Sequence, residues 1–147
     1  MKHIHFPFLA LVAWLLCATA GSATVRFVKA GATGNGLSWA DASGDLQAVI
    51  NASAPGDTVW VAAGTYTPNR PADNLTAISP GNRTNAFVVK EDIHLFGGFA
   101  GTETELAQRT DAASGATNRA LSVLAGDNVY HVIIFVRTDG ATLDGFT

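Results

Sequence analysis

One cysteine, Cys17, is all the 147-residue chain contains. No intramolecular disulfide can form, and no thiol nucleophile lies beyond the first segment of the chain. Basic side chains are scarce: nine Lys and Arg stand against twelve Asp and Glu, a net charge of −3. That balance excludes the basic face that nucleic acid requires of a partner. No serine sits in a nucleophile-elbow pattern. After Ala23 no apolar run approaches the roughly 20 residues that a bilayer-spanning helix needs.

What is present begins with "MKHIHFPFLALVAWLLCATAGSA". A basic start at Lys2, an apolar run from Phe6 to Cys17 and small residues behind it make the three-part pattern of a secretory leader of bacterial appearance. Cleavage is expected after Ala23, with Ala20 the other candidate. Bulky Leu16 sits where a lipoprotein signal at Cys17 wants a small residue. Removing residues 1–23 takes away Lys2 and no acid, so eight basic and twelve acidic side chains leave −4. Without a disulfide, the exported chain 24–147 must be held by burial and backbone hydrogen bonds.

The periodicity then predicts short elements. "TVRFVKA" (24–30) reads as a half-buried strand. Leu46, Val49, Ile50 and Ala54 recur at helical spacing behind Asp45 and stop at Pro55-Gly56, which predicts a helix over 45–54 that lids an apolar end. "TVWVAAGTY" (58–66) alternates as a strand, and "AFVVKEDIHLFGGF" (86–99) gives two short strands split by "KED". Polar excursions cover 67–85 and 101–119; Thr102 and Glu105 fit a capping box. Segments at 89–99 and 136–146 match at an offset of 47, with Val89-Lys90 on Val136-Arg137, Asp92 on Asp139, Phe96 on Leu143 and Gly98-Phe99 on Gly145-Phe146. A fainter copy at offset 34 lays Val59, Val61 and Gly64 under Ile93, Leu95 and Gly98. Recurring short strands without long covering helices predict a coil of parallel strands. Gly64, Gly97, Gly98 and Gly145 become structural corners, with Phe99 and Phe146 turning back inside.

"FVKAGATGNGLSWADASGDLQAVINASAPGDTVWVAAGTY", "IHLFGGFAGTETE" and "ATLDGFT" together resemble the N-terminal part of secreted right-handed parallel β-helix proteins of the pectin-lyase-like superfamily. The resemblance spans nearly all of 24–147. It implies an all-β solenoid: an N-terminal cap with a short helix, then the first coils, incomplete because the chain stops at "LDGFT" where such proteins continue. It implies no catalytic residue and no cofactor here. Calcium belongs to the longer protein, and the family's acid-and-base pattern leaves Glu91, Asp92, Asp139 and Asp144, with Lys90 and Arg137, as a charged ladder of turn residues. The reading of function is a non-catalytic extracellular or cell-surface module, adhesin-like or carbohydrate-binding, whose partner is a polysaccharide or a cell-surface protein. The alternative is the N-terminal fragment of a polysaccharide lyase or glycoside hydrolase.

Individual residues sharpen this little. "GATGNG" (31–36) imitates a dinucleotide loop, but its third glycine is misplaced and no acid follows at the right distance, so a surface loop is expected. His94 and His131 lie in strands without the further ligands a metal needs. Trp39 is expected near the cap. Trp60 should face away from Val59 and Val61. Trp60 and Tyr66 are the candidate contacts for a sugar ring, weighed against packing on the loop 67–85. Asn51, Asn74 and Asn82 head glycosylation patterns, which a bacterial leader makes coincidental.

Overall fold

The computed structural model describes residues 22–109, 121–137 and 139–147. The leader expected over 1–23 lies outside them but for its last two residues. Among the described residues the order is β1 (Val25–Val28), α1 (Leu46–Ala52), β2 (Thr58–Ala62), β3 (Gly64–Tyr66), β4 (Phe87–Val89), β5 (His94–Phe99), a 3-10 turn (Leu106–Gln108), β6 (Ser122–Leu124), β7 (Ile133–Phe135) and β8 (Thr142–Asp144). All strand pairs are parallel: one four-stranded sheet in the order β1-β2-β5-β8, and two-stranded sheets β3-β6 and β4-β7.

The expectation of a right-handed parallel β-helix is therefore corrected. The described residues form eight short strands in three small parallel sheets with one helix, not a solenoid. The physical reason is unequal spacing. Val25 faces Thr58, Thr58 faces His94 and His94 faces Thr142, intervals of 33, 36 and 48 residues. Polar excursions of different length fall between them, so no repeat length recurs. The offset of 47 also fails: Leu95, not Phe96, faces Leu143, and Phe96 faces Asp144. A one-residue slip of this kind exchanges the two faces of a strand.

The helix forms where the spacing placed it. Asp45 caps it by accepting from the Ala48 amide at 2.9 Å, and Leu46, Val49 and Ile50 are buried. They pack with Val28, Val59, Val61, Tyr66, Phe87, Val89, Ile93 and Leu95. Full burial of each such side chain contributes roughly 1.5–3 kcal/mol. Gln47 on the same helix is buried for another purpose. Its Nε2 donates to the Val88 carbonyl at 3.1 Å and its Oε1 accepts from the Val88 amide at 2.8 Å. The side-chain amide thus occupies the place of a neighbouring strand beside β4.

"TVWVAAGTY" is two strands, β2 and β3, and the single turn near the capping motif starts later than expected, with Glu105 and Gln108 as its reciprocal pair. At "FGGF" the glycines do more than turn. Trp60 faces Phe96 but Ala62 faces Phe99, so β5 carries one extra residue there. Gly98 adopts φ +86, the left-handed geometry such a bulge requires. Gly64 (φ +153) and Gly145 (φ +77) also lie in the left-handed range, whereas Gly97 does not. Gly97 is needed for closeness: a Cβ there would sit 2.5 Å from the Gly145 carbonyl oxygen and 2.9 Å from Ser122 Cβ. The extra residue sends Phe99 to the Trp60 side of the sheet instead of the interior expected for it. Ser122 holds the bulge, its hydroxyl accepting from the Gly98 amide at 3.0 Å and reaching the carbonyl oxygens of Val61 (2.9 Å) and Ala62 (3.1 Å).

Two substitutions test these contacts. Gln47→Leu keeps the size of the side chain but strands two buried backbone groups, and is expected to cost about 2–3 kcal/mol. Gly97→Ala is expected to cost about 2 kcal/mol or more through backbone displacement. Urea-unfolding midpoints measure both; a loss below about 0.5 kcal/mol in either would refute the contact it addresses.

Candidate functional site

Trp60 lies opposite Val59 and Val61, as its alternation requires, but that face is covered too. Its ring stacks on Phe99 at 4.7 Å and meets Phe27 edge-on at 5.7 Å. Trp39 packs on Phe27 and Phe99 at 4.9 and 5.7 Å, and its indole N–H donates to the Glu103 carbonyl at 2.8 Å. Glu103 in turn closes its own loop, the carboxylate accepting from the amides of Ala100, Gly101 and Thr102. Burial would raise the pKa of this carboxyl; those amides outweigh burial and hold it low. Trp60 remains 7 % exposed and packs in this aromatic slab rather than on the loop 67–85.

Tyr66 is 4 % exposed, with its hydroxyl donating to the Ala62 carbonyl at 2.8 Å and accepting from the Ala30 amide at 3.1 Å. Burial pushes its pKa up to about 12. One edge of the ring reaches a cleft of about 110 Å³ between the start of α1 and β3, which Asp45, Thr65, Thr67, Asn69 and Phe87 also line. Two of the lining residues are held by the Arg70 guanidinium, which makes a two-pronged pair to Asp45, both contacts at 2.7 Å, and bonds Asn69 at 2.8 Å. Burial alone would raise the Asp45 pKa; Arg70 and the Ala48 amide bring it below the usual carboxylate range. The cleft is well under the roughly 300 Å³ at which small-molecule sites begin. It admits a substituent, not a whole sugar chain.

The charged ladder does not assemble into a cation site. Asp92 stacks under Asp139 through its backbone, the Asp92 amide donating to the Asp139 carbonyl at 3.1 Å. Its carboxylate faces His94 Nε2 at 3.6 Å, while His94 Nδ1 lies 3.1 Å from Thr142 Oγ1. Asp144 is paired with Arg109, and Lys90 donates to the Asn51 carbonyl at 2.9 Å. Glu91, Arg137 and His131 are exposed. Among the described residues no three His, Cys, Asp or Glu side chains converge as a calcium shell requires. What unites this corner is backbone geometry: Gly56 (φ 88), Asp92 (φ 53) and Gly140 (φ 82) each turn left-handed just before a strand of the large sheet.

Two glycine amides of "GATGNG" are committed inside the segment 29–44. Gly34 donates to the Ala42 carbonyl at 2.8 Å and Gly36 to that of Asp41 at 2.7 Å. No helix among the described residues is long and apolar enough to cross a membrane.

One aromatic that the sequence reading passed over is open. Tyr130, on the connection from β6 to β7, is 63 % exposed. The Arg83 guanidinium lies over its ring at 4.8 Å, and the Tyr130 amide donates to the Arg83 carbonyl at 2.9 Å. Asp127 (φ 38) and Asn128 (φ 67) make the tight turn that presents it. The sequence signal was thin: an asparagine-aspartate turn beside a tyrosine, with Arg83 some fifty residues earlier in the chain.

Asp57 is a third heavily engaged carboxylate, beside Asp45 and Glu103. It accepts from the Thr24 amide at 2.9 Å, the Ala54 amide at 3.0 Å and Arg26 Nε at 3.4 Å, tying β1 to the entry of β2. Burial would raise its pKa; the amides of Ala54 and Thr24 and the Arg26 guanidinium hold it below the ordinary 3.8. A depressed folded-state pKa contributes stability that is full above the unfolded value and is lost as pH falls through the folded one. Asp57→Asn is expected to cost about 1–3 kcal/mol at neutral pH, with the gap to the parent shrinking below about pH 4. A gap that stays constant in urea titrations from pH 7 to pH 3 would remove the carboxylate from that role.

Comparison with protein-family models, with characterised proteins and with solved structures finds no match to this chain.

Proposed function

We propose that the chain is a non-catalytic extracellular or cell-surface module that binds a neutral polysaccharide, with Tyr130 as the stacking face. The observation that carries this reading is the open Tyr130 ring, braced on one side by Arg83. Flat aromatic faces stack on the C–H surface of sugars, and a ring held by a cation and a backbone bond loses little freedom on binding. The carboxylates support binding rather than turnover: Asp45, Asp57 and Asp144 are each spent on an arginine. The net charge of −4 expected once residues 1–23 are removed disfavours acidic glycans, which leaves neutral ones. Export rests on the three-part leader.

Retention on insoluble cellulose and mannan tests the proposal. The parent chain should be retained, and Tyr130→Ala should weaken binding about tenfold, a loss of about 1.4 kcal/mol. Its thermal midpoint should hardly move, because the ring is exposed. Tyr130→Phe should bind like the parent. Equal retention of parent and Tyr130→Ala, preference for polygalacturonate, or release of sugar products would each overturn it.

A further inference from the structure

The core is closed at one end and open at the other. At the closed end α1 packs against β1 and β4 with Leu46, Val49 and Ile50 buried beneath it. At the far end Val132, Ile133, Ala141 and Phe146 pack on the core yet stay only half-buried. Phe135, Val136 and Leu143 beside them are exposed.

The strand margins divide the same way. Along β1 the outer backbone groups are taken: the Phe27 amide donates to the Gly36 carbonyl at 2.9 Å, the Ser43 amide to the Phe27 carbonyl at 3.0 Å and the Lys29 amide to the Ser43 carbonyl at 2.9 Å. Gln47 occupies the margin of β4. β8 and β7 each end their sheets, with no strand paired beyond them among the described residues. The Thr142 amide donates to the Ile93 carbonyl at 3.2 Å, toward β5. Successive residues of a strand alternate in direction, so the Leu143 amide and carbonyl point off the margin.

We propose that this open side is a dimer interface, in which two copies of the chain join β8 to β8, antiparallel, about a two-fold axis at Leu143. An apolar margin of this kind is a template for another strand. Because the margins of β1 and β4 are occupied, neither the large sheet nor the β4-β7 sheet can be continued by copies stacked in one direction. Two copies can meet only open side to open side, which is the two-fold arrangement and closes at a pair. The sequence of β8 suits that symmetry. With Leu143 on the axis, the two leucines exchange both N–H···O=C bonds. Each Asp144, already paired with Arg109, falls opposite a Thr142 hydroxyl and not opposite a second carboxylate, which would repel it. The two large sheets become one, and the half-buried ends of the two cores cover each other.

Sedimentation velocity of the purified full chain, from about 1 to 100 μM, is expected to show a dimer at the upper end and no larger species. Hydrogen exchange on the same samples should slow at least tenfold at the Leu143 amide as the dimer forms, with the Phe27 amide unchanged. Residue 143 meets only its own counterpart, so Leu143→Lys and Leu143→Glu should each stay monomeric alone and pair when mixed. A parent that is monomeric throughout, assemblies that keep lengthening with concentration, or a dimer whose Leu143 amide exchanges as fast as in the monomer would each overturn the proposal. So would charged variants that dimerise alone as the parent does, or that keep the parent's thermal midpoint and fail to pair when mixed. Should those variants not fold, the exchange measurement on the parent decides.

Discussion

The structure depends on β2 being buried on both faces. Val59 and Val61 meet α1, β4 and β5 on one side, and Trp60 meets Phe27 and Phe99 on the other. A strand with water on neither side must have its backbone paired along both edges, and β1 and β5 supply those pairings. From this follow the parallel order of the large sheet, the need for glycine where β5 and the segment after β8 approach closely, and the slab of aromatic rings laid over the outer face.

A chain with so little regular structure has many backbone groups near the ends of short strands, and polar side chains satisfy them. Ser122 serves the bulge in β5. Asp57 ties the amides at the entry of two strands, and Glu103 gathers three amides of its loop. Each is buried or nearly so, and each is small or acidic enough to accept several bonds at once. Buried polar residues here replace the disulfides that the chain does not have.

Much of the local structure was legible in the sequence because it is local. Leu46, Val49 and Ile50 located the helix, Pro55-Gly56 its end, and the alternation around Val59 the central strand. The recurrence of Gly98-Phe99 and Gly145-Phe146 announced a shared backbone need. It was misregistered because the bulge adds a residue to one strand and not to its partner. The solenoid failed for the same class of reason: matching motifs do not reveal the unequal excursions between them. The alternation placed Trp60 away from Val59 and Val61 but left open whether a sugar or the loop 67–85 covers it, because alternation assigns a face and not what lies on it. Its cover, Phe27 and Phe99, comes from positions about thirty residues before and forty after. Tyr130 and Arg83 meet only in the folded chain, so no spacing rule could join them.

Gln47 carries one more consequence. A bare strand margin is an invitation to foreign chains, which can extend the ladder and seed fibrous assembly. Beside Val88 that invitation is withdrawn by a lone amide, tethered to the helix and too short to propagate the pattern outward. One glutamine thereby acts as a gatekeeper, marking where hydrogen-bonded growth on that side of the molecule stops.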